Sequence, residues 1–68
     1  MSIQYIKAEF VKFDESGKAQ NRVECMVSNA AELSQVENAT DGSLAMDKSS
    51  GDFYCLDNGT WNLLEDNG

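Results

Sequence analysis

The chain contains no histidine among its 68 residues and only two cysteines. Without histidine, the Ser-His and Cys-His nucleophilic pairs and histidine-ligated metal sites are excluded, and two cysteines cannot supply a structural zinc site unaided. Neither a P-loop nor a dinucleotide-binding glycine motif occurs. An enzyme built on this sequence would have to work with carboxylates alone. We therefore predict no catalytic residue, no metal ligand and no cofactor.

Carboxylates are the one catalytic group type that is plentiful. Paired acids can hydrolyse glycosides, but that chemistry needs a concave cleft that so short a chain rarely provides. The loop 47–52 has oxygen-bearing residues like a calcium loop, yet it lacks the further acidic ligands and the terminal glutamate of an EF-hand. A hairpin turn is the better interpretation of this loop.

Basic residues are scarce, with five Lys and Arg against twelve Asp and Glu, and the net charge is −7. Such a charge repels phosphate backbones and anionic lipid headgroups, so we expect no direct binding to nucleic acid or membranes. No stretch approaches the roughly 20 apolar residues of a membrane span, and the N-terminus lacks a basic segment followed by an apolar run. These features lead us to expect a soluble product of the cytoplasm.

Cys25 and Cys55 each lie among apolar neighbours. Free cysteine usually behaves as a small buried hydrophobic residue, and we predict that role for both. A disulfide would need their Cα atoms within about 7 Å, which the sequence leaves open.

The residue pattern predicts one small, mainly β domain over 1–68, because a chain this short has room for one thin core. An N-terminal hairpin is predicted over 3–28. Its second strand alternates cleanly and places Val23, Cys25 and Val27 on one face. In its first strand the alternation changes phase near Phe10, which predicts a β-bulge there.

A polar connector follows over 29–42, with at most one short helical turn, and a three-stranded meander is predicted over 43–65. The fold class is therefore a small antiparallel sheet, or a partly open barrel, of about five strands. The predicted inward positions of the meander are alternating pairs, with two possible phases in its middle strand: Leu44 and Met46, then Phe53 and Cys55 or Tyr54 and Leu56, then Trp61 and Leu63.

Trp61 has two interpretations, since an exposed Trp commonly anchors an interface and a buried one fills a core. We favour burial in so small a core. If Tyr5, Phe13 and Trp61 instead share one exposed face, that patch is the predicted contact surface for a partner subunit.

Three elements follow one another in the C-terminal half: Gly42-Ser43-Leu44-Ala45-Met46-Asp47, then Ser50-Gly51-Asp52-Phe53-Tyr54, then Asp57-Asn58-Gly59-Thr60-Trp61. They form a Gly-Ser-x-Ala-x-Asp strand start, a Ser-Gly turn into a Tyr-bearing strand, and a glycine turn into a Trp strand. This order resembles a pattern of small structural proteins of tailed phages and prophages, over about twenty of the 68 residues. The resemblance implies a virion-associated or prophage-encoded component that works by protein contact.

Two functions follow as expectations. The first is a non-enzymatic phage-type structural or interaction module of a head, neck or tail assembly, with virion subunits or further copies of itself as partners. The second is an acidic inhibitor that mimics DNA and occupies the basic groove of a nucleic-acid-binding enzyme. The acids are spread among turns and strands without a long acidic run, so the first is favoured.

Overall fold

A computed structural model describes residues 3–64 of the chain as a single-layer sheet with one short helix against it. The prediction of a mainly β fold with about five strands and one helical turn is confirmed. The elements are β1 (Gln4–Phe13), β2 (Ala19–Val27), a 3-10 helix (Ala30–Gln35), β3 (Leu44–Asp47), β4 (Phe53–Asp57) and β5 (Thr60–Leu64). The predicted end of the meander at residue 65, and the chain ends at 1–2 and 65–68, lie outside the described residues.

The strands lie in the order in which they occur in the chain, from β1 at one edge to β5 at the other. Every neighbouring pair is antiparallel except β2 and β3, which are parallel and in register with Cys25 opposite Ala45. This pair corrects the prediction of a purely antiparallel sheet. A parallel pair needs a crossover of about a dozen residues or more, and the segment 28–43 is long enough to return to the end where β2 begins.

The core lies on the side of the sheet that this crossover covers. Leu33 of the 3-10 helix belongs to one buried apolar cluster with three residues of β2 and one of β3: Val23, Cys25, Val27 and Ala45. The predicted inward face of β2 is confirmed. Five further residues pack partly buried around this cluster: Ile3, Val36, Ala39, Tyr54 and Trp61.

Ser43 ties the crossover to β2 at the point where β3 begins. Its hydroxyl is fully buried, accepts the Val23 N–H at 2.9 Å and donates to the Thr40 carbonyl at 2.7 Å. A buried polar group needs such partners, and Ser43 has them on both sides. The crossover is thereby anchored beside the centre of β2.

β1 contains two register shifts, one between Tyr5 and Lys7 and one between Phe10 and Lys12. The second confirms the bulge predicted near Phe10. An extra residue in one strand shifts the alternation by one, so Phe10 and Phe13 project from the same face. Their ring centroids are 5.0 Å apart.

Candidate interaction surface

The two faces of the sheet differ in what covers them. We call the side under the 3-10 helix the covered face and the other side the open face. Residues that are directly opposite in a ladder lie on the same face, so the register assigns each side chain. Cys25, Ala45, Tyr54 and Leu63 form one row on the covered face, and Tyr5 extends this row onto β1.

The open face has an apolar row that crosses four strands. The row has one residue from each strand from β2 to β5, and each is directly opposite the next: Met26, Met46, Phe53 and Leu64. Leu44, one pleat away, and Ile6, the extra residue of the first bulge in β1, extend the row. We call these six residues, Ile6, Met26, Leu44, Met46, Phe53 and Leu64, the open-face patch.

The open-face patch is accessible to solvent. The exposed fractions are 64% for Ile6, 51% for Phe53, 49% for Leu64 and 38% for Leu44. A shallow groove of about 160 Å³ runs between Ile6, Met26, Leu44, Met46 and Phe53, with Glu24 at its side. Contiguous apolar surface of this kind makes the open-face patch the candidate interaction surface.

Polar groups border the patch on the open face. Arg22 of β2 pairs with Glu9 of β1 at 3.3 Å, and both side chains are more than half exposed. The Lys48 ammonium donates to the Gln4 side-chain oxygen at 3.4 Å. Exposed pairs of this type contribute little to stability, about 0–1 kcal/mol each. A polar border around an apolar centre is the usual composition of a protein interface.

A second groove lies on the covered face, between the 3-10 helix and the β4–β5 hairpin. Its volume is about 680 Å³, and it opens broadly to solvent. The lining residues carry no ionisable side chain: Ala30, Ala31, Leu33, Ser34, Val36, Ala39, Leu56, Gly59, Thr60 and Trp61. This groove therefore has the shape of a binding recess but no acid or base for proton transfer.

The three residues proposed from the sequence as one interface do not come together. Tyr5 and Phe13 lie on β1 and are 50% and 66% exposed, whereas Trp61 lies on β5 at the opposite edge. Trp61 is half-buried against the core cluster. The Tyr5 hydroxyl accepts a hydrogen bond from the Glu37 N–H at 3.3 Å, so the Tyr5 side chain contacts the crossover. All three belong to the covered face, with three strands between Tyr5 and Trp61.

The interior phase of β3 differs from the prediction. Leu44 and Met46, predicted to point inward, lie on the open face, while Ala45 and Asp47 lie under the crossover. The parallel register with β2 is the reason, because it aligns Ala45 with buried Cys25. In β4 the register places Tyr54 and Leu56 on the covered face. In β5 it places Trp61 and Leu63 there as predicted, but Trp61 is half-buried and Leu63 is 48% exposed. The open-face patch was therefore missed, because Leu44, Met46 and, in one of the two phases, Phe53 were assigned to the interior.

The titratable side chains with a shifted pKa serve local structure. Ser16, through its hydroxyl and N–H, lowers the pKa of Asp14, together with the Lys18 N–H. Ser49 does the same for Asp47, which accepts the Ser49 hydroxyl at 2.7 Å. Both carboxylates hold turns. Within residues 3–64, no group of three or more acids or cysteines is arranged to hold a metal ion.

The cysteines are both free. Cys25 is buried on the covered face, and burial raises the pKa of its thiol, which makes it a poor nucleophile. Cys55 is only half-buried and lies on the open face opposite Leu44 and Asn62. The predicted burial is thus confirmed for Cys25 and incomplete for Cys55.

In the described part of the chain, no helix has the length and apolar character needed to cross a bilayer. Compared with protein-family models, curated proteins and solved structures, the chain matches none of them. We therefore infer function from the geometry of the described residues.

Proposed function

We propose that this protein is a non-enzymatic interaction module that buries its open-face patch against the apolar surface of a protein partner. The observation that carries this proposal is the uncovered row from Met26 through Met46 and Phe53 to Leu64. A sheet with one packed and one solvated face normally alternates apolar with polar residues. Here the solvated face is apolar at its centre, which is the composition of a surface that a second protein covers.

The resemblance of the C-terminal half supports a phage or prophage assembly as the setting. The partner is then a subunit of a virion head, neck or tail, met in the cytoplasm of the host cell or in the virion. Many copies on one particle would add their weak contacts, because linked binding events reinforce one another. This accounts for a module whose own patch is small.

A binding role also agrees with the chemistry of the two grooves. Glu24 is the one carboxylate at the open-face groove, and the lining of the groove beside Trp61 has no ionisable group. Two closely spaced carboxylates with separated pKa values, the minimum for acid–base hydrolysis, are found in neither. We therefore propose no catalytic role.

The acidic inhibitor that mimics DNA is the alternative, favoured by the net charge of −7. The arrangement of the acids supports it less. Asp14 and Asp47 are engaged in turns, and Glu9 is paired with Arg22. A mimic needs a continuous row of free carboxylates at phosphate spacing, and these three side chains are not available for one.

Two neighbouring leucines test the proposal. Leu64 belongs to the open-face patch and is 49% exposed, while Leu63 projects from the covered face and is 48% exposed. We expect Leu64→Ser and Leu44→Ser to weaken the complex with a virion subunit at least about tenfold, since each loses buried apolar area. Leu63→Ser is the matched control and should bind normally.

The measurement is light scattering coupled to size-exclusion chromatography, with the protein mixed with head, neck and tail subunits of the same phage or prophage. Circular dichroism of each variant verifies that the sheet is intact. Equal losses for Leu63→Ser and Leu64→Ser, or wild-type protein that binds none of these subunits, would contradict the proposal.

A further inference from the structure

The two edges of the sheet differ in their protection against pairing with another strand. β1 contains two bulges, and its sequence includes Lys7, Glu9 and Lys12. Bulges and charged side chains are the usual means by which proteins prevent edge strands from pairing. β5 is regular over Thr60–Leu64, with neither a bulge nor a charged residue. Among residues 3–64, β5 pairs only with β4.

The backbone groups that β5 presents at its free side can be identified from the neighbouring strand. The Leu56 N–H donates to the Ser43 carbonyl at 2.9 Å, and the Leu56 carbonyl accepts the Gly42 N–H at 2.8 Å. Both groups of Leu56 therefore point away from β5. Since Leu56 is opposite Trp61, this is a non-hydrogen-bonded pair, and the N–H and carbonyl of Trp61 point to the free edge.

Hydrogen-bonded and non-hydrogen-bonded pairs alternate along an antiparallel ladder. Leu63, two residues after Trp61, therefore also directs its N–H and carbonyl outward. Asn62 lies between them and directs its backbone groups to Cys55 of β4. The free edge thus has two outward donor–acceptor pairs placed symmetrically about Asn62.

We propose that a second copy of this chain pairs with β5 through its own β5, antiparallel, with the two-fold axis at Asn62. In this register Trp61 is opposite the partner's Leu63, and Leu63 is opposite the partner's Trp61. The four outward groups of one copy then meet the four of the other in four hydrogen bonds. The outward groups complement themselves about this axis, which is what an isologous interface between two copies requires.

The net charge of the chain and the edges left after pairing also agree with a second copy as the partner of β5. Two copies with a net charge of −7 each repel one another, and Thr60–Leu64 is an uncharged strand through which they can approach. After pairing, the outer edges of the ten-stranded sheet are the two bulged β1 strands, which resist further addition. The assembly therefore stops at a dimer. The proposal does not rest on the proposed function, since it uses the edge of the sheet and leaves the open-face patch free.

Leu63→Pro tests the pairing directly. Proline removes the outward N–H of residue 63, which is outside the β4–β5 ladder, and edge strands accept proline at such positions. We expect the dimer dissociation constant to rise about tenfold or more, because two of the four hydrogen bonds are lost. Leu63→Ala keeps the N–H and is the matched control, with a smaller change.

Asn62→Lys is a second variant that keeps every backbone group. It sets two ammonium groups opposite each other on the two-fold axis, and like charges in directly opposed positions destabilise a strand pair. We expect this exposed substitution to leave the monomer folded and to abolish the dimer.

Dissociation constants are measured by sedimentation equilibrium from micromolar to millimolar concentration. Amide hydrogen exchange of the wild-type protein adds a readout at single residues: protection of the Trp61 and Leu63 amides should rise with concentration, while protection of Asn62 stays constant. A monomer at every concentration, or a dimer that Leu44→Ser abolishes and Leu63→Pro does not, would overturn the proposal.

Discussion

Ser43 makes a buried hydrogen bond that joins the start of β3 to β2. Its side chain is the acceptor for the N–H of Val23, a residue that is 1% exposed in the centre of the core. Water cannot replace this acceptor without opening the sheet. The serine at the start of β3 therefore acts through its hydroxyl, and a residue of similar size without one does not substitute for it.

Ser43→Ala should lower the free energy of unfolding by about 1–3 kcal/mol, the cost of leaving a buried amide without an acceptor. Ser34→Ala is the control, because Ser34 is exposed and its hydroxyl donates to the Ala31 carbonyl at 3.3 Å, a contact within one turn of the 3-10 helix. Surface substitutions of this kind change stability by less than about 0.5 kcal/mol. Urea denaturation followed by Trp61 fluorescence measures both. Equal values for the two variants would show that Ser43 does not anchor the crossover.

At the scale of the element, the β4–β5 hairpin depends on the two residues of its turn. Asn58 and Gly59 both have positive φ, at 52° and 77°, which is the geometry of a type I′ turn. This turn matches the right-handed twist of the strands and sets the register that aligns Leu56 with Trp61. The sequence Asp57-Asn58-Gly59 predicts it without tertiary information, because Asn and Gly are the residues that adopt this conformation readily.

Gly59→Ala should reduce the free energy of unfolding by about 1 kcal/mol or more, because alanine is strained at positive φ. Apart from the two adjacent residues, no heavy atom lies within 4 Å of the added methyl group, so the loss reports backbone strain. Asn58→Gly is the matched control in the same turn and should retain most of the stability, since glycine accepts this φ without strain. Thermal denaturation by circular dichroism compares the three proteins. A fully stable Gly59→Ala variant would contradict the assigned turn.

At the scale of the whole molecule, the protein has one thin core under the crossover and an exposed apolar face on the other side. The Asp14 and Asp47 carboxylates accept hydrogen bonds that hold two of its turns. Both pKa values are below 3.8, their ordinary value, because hydrogen bonds favour the charged form. As the pH falls, the two carboxylates therefore become protonated in the unfolded chain before they do so in the folded protein.

The melting temperature should therefore decrease as the pH falls below 3.8, the ordinary value of the two carboxyls. The sign follows because a carboxylate with a lowered folded-state pKa stabilises the fold above its unfolded pKa and loses that effect as the pH falls through the folded pKa. Asp47→Asn should flatten this decrease, and Asp57→Asn, an exposed change at the end of β4, should not. Calorimetry across the acid range checks the slopes. Parallel curves for all three proteins would exclude Asp47 as a source of acid sensitivity.

Much of the local structure follows from the sequence alone. The alternation of Val23, Cys25 and Val27, the phase change near Phe10 and the Asn58-Gly59 turn predicted a strand, a bulge and a hairpin that the structure contains. These features depend on neighbours within a few residues, so the chain specifies them locally. The absence of histidine likewise limits the chemistry before any fold is known.

The tertiary structure alone decided which apolar set of each meander strand is covered, and hence where the candidate surface lies. Leu44 and Ala45 begin β3 with adjacent side chains on opposite faces, and alternation does not say which face meets the helix. The choice follows from the crossover 28–43, which carries Leu33 onto β2 and aligns Ala45 with Cys25. That pairing joins residues far apart in the chain. It is stabilised by packing between them, which the pattern within one strand cannot predict.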